Sequence, residues 1–130
     1  MTDRVVVDAS TLIDLMLEGS AARGIAERIE GSELHAPAHI DAEVLSALGR
    51  IHRAGQLEAA QVEALLDDLA SAPLERHTLE GLVERAWRRR HNLSLLDALY
   101  IALAERLETV TLTRDAGMAM ASEHAELIRG

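Results

Sequence analysis

Four acidic residues in this chain lie beside or within apolar segments: Asp8, Glu43, Asp97 and Asp115. Clustered carboxylates repel one another, and one of them stays protonated unless a cation neutralises the group. Hard divalent ions, Mg²⁺ and Mn²⁺ above all, prefer oxygen ligands of this kind. Two such ions roughly 4 Å apart can hold a phosphodiester for in-line attack. If the four acids meet in the fold, we expect a Mg²⁺ site, with Mn²⁺ as an alternative.

Asp97 is the most informative of the four, because the segment from Leu93 to Ala104 is apolar almost all round. A helix of that composition is a buried helix. An ionised carboxylate buried there needs a partner, because desolvating it alone is costly. A cation is one candidate. The other is the amide of Ser94, since the two residues have the spacing of a capping box, although such boxes prefer Glu or Gln at the second position.

Asp8 and Asp115 each follow a run of β-branched residues and precede a helical segment. Asp8 ends the apolar run that begins at Arg4, and Asp115 comes just after the segment Thr109 to Thr113. Both positions suit a metal ligand at the end of a strand. They suit an ordinary helix N-cap equally well, since Asp is among the best capping residues.

Glu43 lies on a predicted long helix, next to the apolar stripe that contains Ile40 and Val44. Asp41 borders the other edge of the same stripe. Helical periodicity alone does not choose between these two acids. A solvated position on the flank of the helix explains either of them equally well.

The elements that must position these acids alternate between strands and helices along the chain. In parallel sheets built this way, helices cover both faces and ligands gather at the carboxyl ends of the strands. We therefore predict an α/β fold, a three-layer α/β/α sandwich with a central, mainly parallel sheet of about four to five short strands. The predicted strands are Arg4 to Asp8, Glu33 to Ala36, Leu74 to His77, Thr109 to Thr113 and Leu127 to Arg129.

The predicted helices are separated by glycine and proline signals. The first opens at Ala9, a second follows a Ser20 cap, and a helical hairpin begins near Ile40. Another amphipathic helix spans Leu79 to Trp87, and Ser94 caps the Asp97 helix. The last predicted helix is short and runs from about Asp115 to Ser122.

Composition places the chain among ordinary globular domains. Its 130 residues are 48% hydrophobic and contain no cysteine, so we expect one domain over residues 1–130 without disulfides. The apolar run Val5 to Val7 is too short for a signal peptide, and no segment has the roughly 20 apolar residues of a membrane span. We expect a cytoplasmic protein. The net charge of −9 argues against a broad nucleic-acid-binding surface, although bound cations would invert the local potential.

The dense basic run of the chain is Arg88, Arg89 and Arg90, which leads into the Asp97 helix. It suits contacts with an RNA backbone, but cations are also favoured at a helix end for purely structural reasons. Arg114, beside Asp115, allows the same two interpretations. The six histidines show no spacing typical of a metal site, so zinc is not expected.

Four segments together carry a family resemblance: VVVDASTLIDL at 5–15, HIDAEVLSALGR at 39–50, LSLLDALYIALAE at 93–105 and TLTRDAGMA at 111–119. In order and separation they resemble the PIN-domain ribonucleases, and within them the VapC-type toxins of bacterial toxin–antitoxin pairs. The resemblance covers essentially the whole chain. It implies a metal-dependent ribonuclease that cleaves single-stranded or looped RNA, is held inactive by a cognate antitoxin and forms a homodimer.

The resemblance also implies roles for individual residues. Asp8, Glu43, Asp97 and Asp115 match the acidic quartet of the family, which favours Glu43 over Asp41. Ser10 and Thr113 match two hydroxyl positions that support the first and last acids. Some members carry a further acid about one turn after the fourth, where this chain has Gly117 and Met118, so a second metal would be weakly held.

Three other interpretations compete with a toxin. A haloacid-dehalogenase-like phosphatase needs an Asp-x-Asp pair after the first strand, and here Asp8 is followed by Ala9 and Ser10. A PIN domain that processes RNA without a toxin role has the same residues. A non-catalytic partner-binding domain would be expected to have lost one of the four acids.

Overall fold

The computed structural model describes residues 3–130, so Met1 and Thr2 of the predicted 1–130 domain lie outside the described residues. Within that range the chain alternates strands and helices, as the hydrophobic pattern predicts. The strands are β1 (Arg4–Val7), β2 (Glu33–Pro37), β3 (Leu74–His77), β4 (Thr111–Thr113) and β5 (Ala125–Leu127). The helices are α1 (Ala9–Met16), α2 (Ala22–Ile29), α3 (Ile40–Arg53), α4 (Ala59–Ser71), α5 (Val83–Trp87), α6 (Leu95–Arg106) and α7 (Ala116–Ala121).

The five strands form one sheet in the order β3-β2-β1-β4-β5, and every neighbouring pair is parallel. The chain winds outward from β1 to β3 and then returns to place β4 on the other side of β1. Because parallel crossovers are right-handed, α1 to α4 cover one face and α5 to α7 the other. The strand order reverses between β1 and β4, and this reversal is where open α/β sheets bind ligands. The predicted α/β sandwich is confirmed.

The core lies on both sides of the three inner strands. Val5, Val6 and Val7 of β1 are buried, as β-branched residues of a central parallel strand should be. Helix α6 is buried over seven consecutive residues from Ala98 to Ala104. The apolar stripe of α3, including Ile40 and Val44, is also buried, which leaves Asp41 and Glu43 at its two edges.

Several boundaries differ from the sequence-based expectation; β4, for example, begins at Thr111 instead of Thr109, and β5 begins at Ala125 instead of Leu127. Helix α2 begins at Ala22 without a side-chain cap, because the amide of Ala21 donates to Asp14 Oδ1 instead and the Ser20 hydroxyl faces Arg114. Helix α5 begins at Val83, because residues 79–82 form a turn, closed by a hydrogen bond from the Leu82 amide to the Leu79 carbonyl, that already buries Leu82. The last strand ends at Leu127 instead of running to Arg129. No helix within residues 3–130 is long and apolar enough to cross a membrane.

Candidate active site

Asp8 lies immediately after β1, at the carboxyl edge of the sheet, and caps α1. Its Oδ1 accepts hydrogen bonds from the Ser10 hydroxyl at 2.7 Å and the Thr11 amide at 2.9 Å. Its Oδ2 accepts from the Thr113 hydroxyl at 2.5 Å. Burial raises the pKa of Asp8, and these hydrogen bonds partly oppose that rise. Asp8 is therefore both a helix cap and a buried acid held by three donors.

Asp115 follows β4, next to β1 in the sheet, and caps α7. Its Oδ1 accepts from the amides of Gly117 at 2.8 Å and Met118 at 3.3 Å. The Asp115 amide donates to Thr113 Oγ1 at 3.0 Å. Since the same hydroxyl donates to Asp8, Thr113 connects the two strand-end acids through one oxygen atom. Thr113 and Ser10 thus lie where supporting residues were expected.

Asp97 lies in the first turn of α6, where its amide donates to the Ser94 hydroxyl at 3.2 Å. The pKa of Asp97 is raised first by burial and then by the negative charges of three other carboxylates. These three carboxylates belong to Asp115, Glu43 and Asp8. The fold therefore brings the other three predicted acids within electrostatic reach of Asp97, near the reversal of the strand order.

Glu43 and Asp41, which periodicity did not distinguish, have different partners. Glu43 Oε1 accepts from the Tyr100 hydroxyl at 2.5 Å and lies 3.4 Å from His39 Nε2. Asp41 forms a two-pronged ion pair with Arg76, at 2.8 and 3.0 Å. Asp41 is thus neutralised by the protein, whereas Glu43 faces α6 and the other acids.

The four acids form an open cluster. Among residues 3–130, no three of them offer oxygens that all lie within 4.8 Å of one another. Carboxylates repel one another at short range, and a divalent cation is what would draw them together. An all-carboxylate donor set, with burial raising the pKa of Asp8 and of Asp97, fits a hard cation better than it fits a structural ion-pair network.

The three arginines of the basic run are occupied by protein groups. Arg88 pairs with Glu84 at 2.8 Å, and Arg89 Nε donates to Glu105 at 2.5 Å. Glu105 lies in the last turn of α6, eight residues and so roughly 12 Å along the helix from Asp97. The Arg90 guanidinium stacks 4.7 Å from the Trp87 ring centroid. The structure does not bring Arg88 or Arg89 to the acids.

Arg114 is also held within the protein, although its neighbour Asp115 belongs to the acidic cluster. Its Nη1 donates to the Ile128 carbonyl at 2.7 Å, and its Nε lies 3.3 Å from Asp14 Oδ2. Its backbone amide donates to Ser10 Oγ at 3.1 Å. Through that amide, Arg114 fixes the hydroxyl that in turn donates to Asp8.

Sequence reasoning missed two residues beside Glu43, namely Tyr100 and His39. Tyr100 was counted only as part of an apolar helix, although it stands three residues after Asp97 and therefore on the same helical face. Burial raises the pKa of Tyr100, and the bond to Glu43 adds to the rise, so the hydroxyl remains a donor. His39 Nδ1 is buried without a hydrogen-bond partner in the described structure.

The fold and the carboxylate cluster define an acidic α/β domain, and comparison with known proteins identifies its family. The sequence model of the PIN domain family matches residues 5–123 of this chain. The chain belongs to the PIN domain family. It is 48% identical over 126 residues to Ribonuclease VapC3 of Mycobacterium tuberculosis, an alignment that covers 95% of this chain and 92% of that protein.

Solved structures with low sequence identity show the same fold. PAE2754 from Pyrobaculum aerophilum matches with a TM-score of 0.70 and 22% identity, over 95% of this chain and 82% of the other. A toxin–antitoxin complex from Klebsiella pneumoniae matches with a TM-score of 0.69 and 18% identity, over 96% and 98%. The predicted membership of the PIN-domain family is confirmed.

Proposed function

We propose that this protein is an endoribonuclease that hydrolyses RNA phosphodiester bonds as the toxin of a toxin–antitoxin pair. The observation that carries the proposal is the convergence of Asp8, Glu43, Asp97 and Asp115 where the strand order reverses. The 48% identity to a protein named Ribonuclease VapC3 supports the same activity. We take residues 1–130 to be one catalytic domain that acts in the cytoplasm.

A divalent cation, Mg²⁺ with Mn²⁺ as an alternative, would be held by Asp8, Asp97 and Asp115, with Glu43 as the fourth acid. When bound, such an ion lowers the pKa of a water nucleophile and neutralises charge on the phosphate oxygens. The acid-only donor set and the two raised carboxyl pKa values fit this ion class. One oxygen of Asp115 already accepts from the amides of Gly117 and Met118. No further acid follows on α7. We therefore expect a second ion to bind weakly.

The chain's own residues orient the four acids before any substrate arrives. The hydroxyls of Ser10 and Thr113 fix the plane of the Asp8 carboxylate from both oxygens. The Tyr100 hydroxyl fixes Glu43. Because these donors are rigid parts of strands and helices, the carboxylates need little reorganisation during the reaction, which is how preorganised sites lower barriers.

RNA is proposed to reach the site past the turn that follows α5. Arg90 stacks on Trp87 and makes only one backbone contact within the protein, so of the three arginines its guanidinium is the most available to a phosphate. Arg88, Arg89 and Arg114 first have to leave their carboxylate partners. We therefore assign Arg90 the main role in this contact and the others a smaller one.

We also propose a homodimer and a cognate antitoxin as protein partners. Helices α5 and α6 expose a patch of Val83, Trp87, Leu95 and Leu96, each about half accessible. An exposed apolar patch of this kind marks a protein–protein contact, and an antitoxin would have to leave it before the toxin acts. A second copy of the chain is therefore the occupant that fits this patch.

The test is cleavage of total bacterial RNA by the purified protein in Mg²⁺, in Mn²⁺ and in EDTA. The Asp8→Asn variant keeps the shape of the site, and Asp67→Asn on the exposed side of α4 is a matched control. We expect discrete fragments that require metal, persist in Asp67→Asn and vanish in Asp8→Asn. Equal cleavage by the Asp8→Asn variant, or none by the folded wild-type protein, would overturn the proposal.

A further inference from the structure

A second group of ligand-type side chains lies on β2 and β3, away from the acidic cluster. His35 and Glu75 are register partners on these two strands, and His77 lies two residues after Glu75. Successive side chains on a strand alternate between faces, so all three share one face of the sheet. His35 Nδ1 lies 2.9 Å from His77 Nε2 and 3.3 Å from Glu75 Oε2.

The 3.3 Å separation matches that between two ligands of a tetrahedral metal, and the two histidine nitrogens, 2.9 Å apart, would have to separate by about 0.4 Å to bind one. A Zn²⁺ ion with bonds of about 2.0–2.1 Å sets neighbouring ligand atoms about 3.3 Å apart. One atom from each of His35, Glu75 and His77 lies within 4.8 Å of the others. Two imidazoles and a carboxylate are the donors of a borderline transition metal, not of Mg²⁺.

We propose that His35, Glu75 and His77 form a binding site for a transition-metal cation of the Zn²⁺ type, with water as the fourth ligand. The site is separate from the acidic cluster at the reversal between β1 and β4, where the proposed catalytic metal would be held. Because its ligands come from two strands, the ion would fasten the edge strand β3 to β2. Its expected effect is therefore on stability.

The surroundings of the three ligands support this assignment. Glu33 Oε1 lies 3.3 Å from His35 Nε2 and can hold the ring, as carboxylates behind metal-bound histidines do. The His35 side chain is only 5% exposed, so its orientation is fixed by packing. His35 and Glu75 both line one surface groove, which gives an ion a path from solvent.

Arg106 competes with a metal ion for His77. Its Nη2 lies 3.3 Å from His77 Nδ1. A guanidinium can only donate, so in this contact His77 carries its proton on Nε2, the atom that would bind the ion. Metal binding then requires the proton to move to Nδ1 and Arg106 to turn away. Removing Arg106 should therefore strengthen binding, whereas removing a ligand should weaken it.

The experiment uses Co²⁺, whose visible absorption is intense only in tetrahedral sites, titrated into the tag-free full chain. The Asp8→Asn/Asp97→Asn background removes the acidic cluster as a competing site. We expect one equivalent of tetrahedral Co²⁺ and a melting temperature that rises with Co²⁺. His77→Gln and Glu75→Gln should each weaken binding by more than the roughly 10- to 100-fold that loss of a supporting group costs.

Two further variants complete the test. Arg106→Gln should tighten Co²⁺ binding, and His91→Gln, an exposed histidine outside the group, should leave it unchanged. Glu75 is exposed, so Glu75→Gln remains folded even if His77→Gln does not. Absence of tetrahedral Co²⁺, or the same affinity in Glu75→Gln as in the background, would overturn the site and leave the two histidines as a hydrogen-bonded pair.

Discussion

The Tyr100 hydroxyl donates to Glu43 Oε1 across 2.5 Å, which joins helix α6 to helix α3 at the acidic cluster. Tyr100 is buried, and its ring lies 4.7 Å from that of His39. Glu43 thereby faces Asp97 from the neighbouring helix, so the position of one acid depends on a residue outside the quartet.

Replacing Tyr100 with Phe should reduce RNA cleavage by roughly tenfold, the loss expected when one hydrogen bond worth about 1.4 kcal/mol no longer orients a catalytic group. The fold should persist, because Phe retains the buried ring. Steady-state cleavage of a fluorescent RNA measures the effect. Unchanged kcat, with unchanged Mg²⁺ dependence, would show that Glu43 does not need this donor.

Glu43→Gln and Asp41→Asn are a matched pair on one helix. Glu43→Gln should lower cleavage at least about a hundredfold, because it removes a charge that the cation needs. Asp41→Asn should change it less than about threefold, and it should destabilise the protein by about 1 kcal/mol through loss of the part-exposed Arg76 pair. Equal losses in the two variants would contradict the separate environments of these acids.

Thr113→Val removes the hydroxyl that links Asp8 to the Asp115 amide. It should cost about 1–3 kcal/mol of unfolding free energy, because the buried Asp8 carboxylate and the part-buried Asp115 amide lose their partner. Cleavage should fall together with stability. Urea denaturation and RNA cleavage of Thr113→Val are compared with those of Thr113→Ser, which keeps the hydroxyl and should recover both; failure of Ser to recover cleavage would argue against the bridge.

Asp97→Asn should change how metal-free stability depends on pH. Burial and the neighbouring carboxylates raise the pKa of Asp97 in the folded protein above its ordinary value, so the native state binds more protons than the unfolded state between the two pKa values. Wild-type stability therefore falls as pH rises through that window, and this destabilisation persists at neutral pH. The variant lacks this destabilisation and should therefore melt at a higher temperature than the wild-type protein at pH 7 without metal.

Mg²⁺ supplies the control for that variant. It should raise the melting temperature of the wild-type protein, since it neutralises the ionised acids, and it should affect Asp97→Asn much less. Melting curves at several pH values, with and without Mg²⁺, separate the two effects. A variant that melts below wild type at neutral pH without metal would show that Asp97 is already balanced by the protein.

Arg90→Glu should raise KM for RNA and flatten its dependence on salt, because one phosphate contact is lost. Arg88→Glu is the matched control and should have a smaller effect, since Arg88 already pairs with Glu84. Cleavage rates at several salt concentrations give both quantities. If the two variants behave alike, or like wild type, the turn after α5 is not part of the RNA path.

The order of elements and the strand-end acids could be predicted from sequence because both follow local rules. A β-branched run followed by Asp indicates a strand end, and the all-apolar helix around Asp97 indicates burial. The partners of these groups could not be predicted in the same way. Tyr100 and Glu43 are 57 positions apart in the sequence, and His35 and His77 are 42 apart. Their contacts depend on helix packing and strand register, which local sequence patterns do not predict.

Helical periodicity could not choose between Asp41 and Glu43 for the same reason, although the family resemblance favoured Glu43. Both acids border the apolar stripe of α3. In the fold their environments differ because Arg76 of β3 pairs with Asp41, whereas Tyr100 of α6 donates to Glu43. The predicted start of α5 at Leu79 was wrong for a different reason. Leu79 and Leu82 have helical spacing, but a turn buries Leu82 equally well, and apolar spacing alone does not distinguish a turn from a helix.

Asp8 and Asp115 each cap a helix as well as belonging to the acidic cluster. Asn caps a helix about as well as Asp, whereas Ala is a poor cap. Descendants of this gene that abandon catalysis yet keep the fold should therefore be found with Asn at these two positions far more often than with Ala. The residues found at these two positions would show whether selection still acted on helix capping after it had ceased to act on the acidic cluster.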